Sequence, residues 1–323
     1  MLGRLVDQYV LQNESIPPES IWGDVLPAML EADLRLVNLE CVISTRGEMW
    51  RPLTKPFHFR ACPRALDFLR AARVDCMTLA NNHTLDYGVD ALEECLDLLD
   101  REGLPHAGAG RNLDESMRPA LLETPQGRIG VVALTDNEPE WEAGPDSPGT
   151  FYVAYNAHGL VEPYRSRVAQ SLAKARSQAG FVAVSAHVGP NWGKPSPAMQ
   201  ATARQIIEMG ADLYWGHSNH TPQGIEVYQG KPILYSTGDF VDDYAVDAHE
   251  RNDLSFLFVV DVDMDAQAGR VREVDLHPTA IEHFRVRRAR GDEVRFLHRR
   301  MSSLSAEFGT TLQAEGDLLV LAL

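Results

Sequence analysis

The stretch from Gly216 to Tyr244 reads GHSNHTPQGIEVYQGKPILYSTGDFVDDY and follows the apolar run Ala211–Trp215. The apolar run predicts a buried strand, and the segments on both sides of Gln229–Pro232 predict a β-hairpin with its turn there. Two histidines, His217 and His220, lie between the strand and the hairpin. A neutral imidazole is the commonest metal ligand in proteins, and a loop at a strand end lets two imidazoles converge. This stretch therefore predicts a metal site at the end of a sheet.

The composition limits the classes of partner. The chain has 323 residues, 44% of them hydrophobic, which is enough for a large core. Its formal net charge of −16 argues against a nucleic-acid partner, because phosphate binding requires a basic face. An anionic or peptide-like substrate stays possible where metal ions supply positive charge locally.

The cysteines and the hydropathy pattern predict a cytoplasmic protein. No pair of the four cysteines has CxxC spacing, so we expect small buried thiols in a reducing compartment. No apolar run reaches the length of a membrane span, and residues 1–20 lack the core of a signal peptide. The four cysteines are Cys41, Cys62, Cys76 and Cys95.

Strand-like and helix-like segments alternate over the first two thirds of the chain, and strands dominate after that. This order favours an α/β layered sandwich, and the absence of a linker or repeat favours a single domain, 1–323. The predicted strands are 34–40, 75–80, 128–136, 181–186, 211–215, 254–262 and 271–279. The predicted helices are 17–32, 64–73, 89–102, 160–178 and 196–209, followed by a basic, then amphipathic segment 284–308.

Polar groups able to bind a metal follow four of the predicted strands. In open sheets, sites collect at the carboxyl ends of strands, so we expect these groups to meet in one cleft. A mixed set of carboxylate, amide and imidazole donors suits zinc, manganese or iron(II). The groups are Glu40, Asn82 with His83, His187, and His217 with His220.

Four motifs occur in the order of one known family: NLE at 38–40, ANNHTLDYG at 80–88, HVG at 187–189 and GHSNH at 216–220. Three further stretches agree with it: KPFHF at 55–59, GAGRN at 108–112 and QGIEVY at 223–228. On these residues the chain closely resembles the CapA, or poly-γ-glutamate capsule synthesis, family over about residues 1–245. The resemblance implies a four-layer α-β-β-α sandwich like that of calcineurin-type, metallo-dependent phosphatases. Residues 246–323 would add C-terminal strands and a basic helix.

The resemblance also implies roles for individual residues. His83 would face the substrate as an acid or transition-state stabiliser, and Asp86 would orient its imidazole. Family members carry a metal-binding Asp on a first strand that this sequence does not contain, so we expect that strand to be truncated. The expected ligands of one or two divalent ions (Mn, Zn or Fe) are Glu40, Asn82, His187, His217 and His220.

By resemblance, the chain acts in poly-γ-glutamate capsule biosynthesis, with possible partners in polyglutamate synthesis. The favoured reading is a metal-dependent hydrolase or transferase acting on a phosphoester or a γ-glutamyl or peptide substrate. One alternative is a metal-free acid/base epimerase on the same scaffold, since abstracting a proton beside a carbonyl needs one acid and one base. Another is a non-catalytic binding subunit of the synthesis machinery.

Two further patterns carry structural expectations. The run Arg285–Arg290, with Arg295, Arg299 and Arg300, predicts a solvated helix face. Trp192 and Trp215 flank the histidine motifs, and core packing is their expected use.

Overall fold

The computed structural model describes residues 1–51, 55–264 and 269–323. Its helices are α1 (Arg4–Val6), α2 (Leu26–Glu31), α3 (Ala65–Ala71), α4 (Gly88–Arg101), α5 (Leu113–Ser116), α6 (Tyr164–Arg176), α7 (Pro197–Glu208) and α8 (Asp292–Ala306). A π-helical turn covers Asp7–Leu11, and 3-10 segments cover Pro18–Val25 and Pro139–Trp141.

The longest strands are those at Gly127–Thr135, Leu254–Asp263 and Arg270–Glu282. In chain order, the strands are β1 (Leu36–Asn38), β2 (Val42–Ile43), β3 (Arg60–Ala61), β4 (Cys76–Thr78), β5 (His106–Ala107), β6 (Ala109–Gly110), β7 (Ala120–Thr124), β8 (Gly127–Thr135), β9 (Gly149–Thr150), β10 (Tyr155–Asn156), β11 (Gly159–Leu160), β12 (Phe181–His187), β13 (Leu213–Gly216), β14 (Ile225–Tyr228), β15 (Lys231–Leu234), β16 (Leu254–Asp263), β17 (Arg270–Glu282), β18 (Arg285–Arg288), β19 (Gln313–Glu315) and β20 (Leu318–Ala322).

Three larger sheets organise these strands. The six-stranded sheet has the order β14-β15-β13-β12-β8-β7, and its four central strands are parallel. A parallel three-stranded sheet has the order β1-β4-β5. The antiparallel sheet β16-β17-β20-β19, with β18 beside β17, comes from the last quarter of the chain.

The three-stranded and six-stranded sheets pack face to face, with helices on both outer faces. Between the sheets, small side chains predominate: Cys76, Ala80, Ala107, Val131 and Ala133. Outside the three-stranded sheet, α3 and α4 pack on Met77 and Leu79 through Leu69, Leu92 and Leu96. Outside the six-stranded sheet, α6 and α7 pack on Val132 and Val184 through Val168, Leu172 and Ile206. These layers confirm the predicted α-β-β-α sandwich. Side chains alternate between the two faces of each strand, so each sheet packs one face on the other sheet and the opposite face on helices.

The C-terminal sheet extends this core. Its residues Phe256, Val274 and Leu276 share a cluster with Phe181 and Leu213 of the six-stranded sheet. Helix α8 closes the same cluster with Leu297 and Met301.

Strands β1 and β16 are each at an edge of their sheet, and both line one cavity of about 710 Å³. Partly buried apolar side chains from both strands, including Leu36, Val37 and Phe258, face this space.

Three local predictions were wrong. The segment 17–32 is a 3-10 segment followed by α2, because Gly23 adopts φ 49°, ψ −141° and interrupts the helix. Residues Arg285–Arg288 form a strand beside β17 instead of a helix face, and the buried Val286 shows the alternation of a strand. Trp192 is 44% exposed, so it does not pack in the core.

The close approach of the two sheets predicts a cost for any larger residue at Gly108. A Cβ there would lie 2.7 Å from the Cβ of Ala80 and 2.8 Å from that of Ala133, whereas one at Gly193, which has the same φ of +95°, would meet nothing within 4 Å. We expect Gly108→Ala to lower the free energy of unfolding by about 1–3 kcal/mol more than Gly193→Ala. Urea denaturation of both variants measures this, and equal losses would contradict tight sheet packing at Gly108.

Candidate functional site

The predicted site residues follow the ends of strands in both packed sheets. Glu40 lies two residues after β1, and residues 81–87 form the turn after β4. His187 ends β12, and His217 follows β13 directly. These side chains are buried and close enough to affect one another: His217, His83 and His220 all contribute to lowering the pKa of His187, after burial itself. The structure thus brings the predicted residues to one edge of the sandwich.

His83 and Asp86 form a buried imidazole–carboxylate pair. The His83 Nδ1 atom is 2.6 Å from Asp86 Oδ2, which also accepts the backbone N–H of Phe59 at 2.6 Å. Burial raises the pKa of Asp86 to about 7 and lowers that of His83, so burial opposes charge on both partners. Because Phe59 already donates to the same oxygen, Asp86 acts as the acceptor and His83 carries its proton on Nδ1. The Phe59 ring, 4.0 Å from the imidazole between centroids, packs against His83.

A second group joins His187, His217 and Ser185. The Nδ1 atoms of the two histidines are 3.2 Å apart, and His217 Nε2 is 2.6 Å from Ser185 Oγ. Ser185 donates its own proton to Thr78 Oγ1 at 2.9 Å, across the gap between the sheets. Ser185 therefore accepts from His217 Nε2–H, which leaves a lone pair on His217 Nδ1. Burial lowers the pKa of His217 to about 3, so this imidazole is neutral.

A third group joins Glu40, His220 and Asp239. His220 Nδ1 is 3.0 Å from both carboxylate oxygens of Asp239. Burial lowers the pKa of His220, but the charge and hydrogen bond of Asp239, together with the charges of Glu40 and Asp242, outweigh burial and raise the pKa to about 9. Burial also raises the pKa of Glu40 to about 7, while its carboxylate accepts a hydrogen bond from Asn38 at 2.9 Å. The Tyr244 ring, 4.7 Å from that of His220, closes this side.

The donor chemistry of the site fits a divalent ion. Among the residues that the structure describes, Asn82 Oδ1 and His187 Nε2 are buried without a hydrogen-bond partner, and such orphaned acceptors need a ligand. Neutral imidazoles, an amide oxygen and a carboxylate are suitable donors for zinc, manganese or iron. Within residues 1–51, 55–264 and 269–323, however, no three His, Cys, Asp or Glu side chains are already arranged around one point.

Several residues at the site carried no decisive signal in the sequence. Lys55, whose side chain is 6% exposed, lies 3.4 Å from Asp86 and 2.9 Å from Glu138. Ser185 is inside a strand, so the sequence gives no hint that it orients His217. Asp239 lies in the loop after β15, and folding brings it to His220.

Trp192 and Trp215 both contact histidines of the site. The Trp215 ring is 5.1 Å from that of His217, and Trp192 is 5.7 Å from His220. The exposed Trp192 thus borders the site, and Trp215 is half-buried beside it.

The four layers, with polar side chains at the strand ends of both packed sheets, define an α/β protein of the α-β-β-α sandwich class. A family model described as bacterial capsule synthesis protein PGA_cap matches residues 1–244. The chain belongs to this family, as the CapA motifs in the sequence indicated. In the part of the chain that the structure describes, no helix is both long and apolar enough to cross a membrane.

Relatives in the family carry related names. The chain is 34% identical over 315 residues to a "Probable polyglutamine synthesis accessory protein" of Mycobacterium tuberculosis, covering 93% of this chain and 80% of that protein. It is 26% identical over 245 residues to the PGA biosynthesis protein CapA of Bacillus subtilis, covering 75% of this chain and 61% of that protein. A solved structure described as a novel phosphatase from Mycoplasma pneumoniae aligns with TM-score 0.43 and 12% identity over 82% of this chain and 83% of that one.

The hydrogen bond between Ser185 and His217 yields a prediction. Ser185→Ala leaves the buried His217 N–H without an acceptor, so we expect a loss of about 1–3 kcal/mol in unfolding free energy and a shift in the ring tautomer of His217. Urea denaturation and ¹⁵N NMR of the histidine rings measure both effects. Ser171→Ala is the control, because Ser171 is also buried but donates to the Met117 carbonyl, away from the site. Unchanged His217 signals in Ser185→Ala would contradict the assignment.

Proposed function

We propose that this chain is a metal-dependent hydrolase or transferase of capsule polyglutamate synthesis, acting on a phosphoester or a γ-glutamyl amide. The observation that carries the proposal is the His83–Asp86 pair next to the facing imidazoles of His187 and His217. A proton-transfer pair beside neutral ligand imidazoles is an arrangement suited to hydrolysis. The capsule and polyglutamate names of the relatives support the pathway.

The residues that would hold metal are the five predicted ligands: Glu40, Asn82, His187, His217 and His220. Their fit rests on the orphaned Asn82 Oδ1 and His187 Nε2 atoms and on the lone pair of His217 Nδ1, which lies 3.2 Å from His187 Nδ1. A bound divalent ion would supply a hydroxide near neutral pH and neutralise charge on the reacting group.

The protein's own residues then handle the proton. Asp86 holds the Nδ1–H of His83, which leaves the Nε2 atom of the neutral ring to exchange a proton with the substrate. When His83 takes up a proton, the Asp86 carboxylate stabilises the imidazolium. His83 can therefore change between its neutral and protonated forms while its hydrogen bond to Asp86 is kept. Burial keeps bulk water away from both groups and strengthens this coupling.

Metal content tests the ligand assignment. We expect one or two divalent ions per chain, measured by elemental analysis on protein purified without chelator, because buried unpaired donors favour binding. His217→Ala is expected to lower the stoichiometry, whereas His298→Ala, on α8 and bonded to the Asp317 carbonyl, should leave it unchanged. The assignment would be contradicted if the wild-type protein is purified without metal and does not bind added Mn, Zn or Fe.

The role of Asp86 predicts a kinetic effect. Asp86→Asn keeps the side-chain shape but cannot hold the Nδ1–H of His83 as a carboxylate does, so we expect kcat to fall about 10²- to 10⁴-fold. The assays are phosphate release from p-nitrophenyl phosphate and nitroaniline release from γ-glutamyl-p-nitroanilide. Asp97→Asn, in an exposed ion pair with Arg111, is the matched control.

The alternatives predict other outcomes. Deuterium uptake from solvent into a glutamyl peptide, without bond cleavage, would indicate the metal-free epimerase. Peptide binding that is unaffected by Asp86→Asn, with no turnover of any substrate, would indicate a non-catalytic subunit.

A further inference from the structure

We propose that Lys55 binds a carboxylate of the substrate. In the absence of substrate, the Glu138 carboxylate occupies the position beside Lys55, and the substrate carboxylate displaces it. This inference rests on the proposed function and names the group that the same site recognises. A γ-linked glutamyl chain carries one free α-carboxylate on each unit, so Glu138 presents the chemical group that such a substrate would bring.

The positive charge of Lys55 is unusual because its ammonium group is buried. Its side chain is 6% exposed, and its ammonium donates to the Asn82 carbonyl oxygen and to Glu138 Oε1 at 2.9 Å. The ring of Trp141 lies under it, 4.7 Å from the nitrogen to the centroid. Removing an ammonium from water is costly unless anions compensate, so the charge needs carboxylates beside it at all times.

Of the two carboxylates beside Lys55, only Glu138 is free to leave. Asp86 is fully buried, and its Oδ2 atom is committed to His83 and to the Phe59 N–H. Glu138 has a side chain that is 23% exposed, and Lys55 is the ion-pair partner found for it among the described residues. A substrate carboxylate therefore reaches Lys55 by displacing Glu138.

The backbone at Glu138 supports an exchangeable contact. This residue has φ 52° and ψ 69°, in the left-handed region, and it directly precedes Pro139. A non-glycine residue in that region is strained, and proline further restricts the residue before it. The same segment carries Trp141, whose ring meets Trp50 edge-on at 6.2 Å, so both the competing anion and the aromatic wall come from one short stretch.

Lys55 lies close to the His83–Asp86 pair, so a substrate carboxylate bound by Lys55 would lie near the groups that transfer the proton. Its ammonium lies 3.4 Å from Asp86 Oδ1, next to the pair that handles the proton. A carboxylate held by Lys55 would therefore place the adjacent part of the substrate beside His83. This geometry assigns Lys55 to substrate binding and Glu138 to competition for the same position.

Calorimetric binding of γ-L-glutamyl-L-glutamate to the metal-loaded chain tests the proposal. We expect Lys55→Met to weaken binding about 10- to 100-fold, because a charge-assisted contact is lost. Glu138→Gln is expected to tighten binding about 3- to 10-fold, because the competing anion is gone. Lys194→Met is the matched control, since Lys194 pairs with Glu307 at 2.5 Å on the exposed surface and should leave affinity unchanged.

Three results would overturn the proposal: unchanged affinity in Lys55→Met, weaker binding in Glu138→Gln, or Lys55-dependent binding of inorganic phosphate tighter than that of the dipeptide. Glu138→Gln keeps Lys55 and the fold, so it decides the question even where Lys55→Met unfolds. Metal content measured on the same samples separates the two proposals. Lys55-dependent binding without metal would support this inference and contradict the metal-dependent function.

Discussion

The site depends on the close packing of the three-stranded and six-stranded sheets through small side chains. Ala80, Ala107 and Ala133, with Gly108, let the three-stranded and six-stranded sheets approach closely. At this distance the Ser185 hydroxyl reaches Thr78 of the opposite sheet, at 2.9 Å. The turn after β4 and the loops after β12 and β13 then open at one edge. Bulkier residues between the sheets would separate the His83 group from the His187 group.

Burial then sets the electrostatics of each group. Where no anion is near, burial keeps the imidazole neutral, as in His217. Where a carboxylate contacts the ring directly, as Asp239 contacts His220, the charged form is stabilised instead. One pocket thus contains imidazoles that burial keeps neutral and one whose charged form a neighbouring carboxylate stabilises, although all are the same amino acid. With a net charge of −16, the chain needs local positive groups such as Lys55 to bind an anion.

Much of this arrangement could be predicted from local pattern. Short apolar runs followed by Asn, His or Glu mark parallel strands and their carboxyl ends, and both the layered fold and the shared edge followed from them. Contacts from outside those runs could not be predicted. Lys55 lies in a loop and Glu138 in another, and only folding places their charges 2.9 Å apart. The prediction of a helix face at 285–288 was wrong because it relied on the arginine charges. Val286, the one apolar residue among them, is buried as part of a strand.

By itself, the sequence determined the order of strands and helices, the family, and the polar residues that end each strand, because these depend on side-chain period and on neighbours in the chain. The tertiary structure alone decided which polar residues touch. It paired His220 with Asp239, joined Ser185 to His217 across a strand pair, and buried Lys55 against Asp86. Those contacts join residues far apart in the sequence, and their strength depends on the exclusion of water by the packed sheets, which no local pattern records.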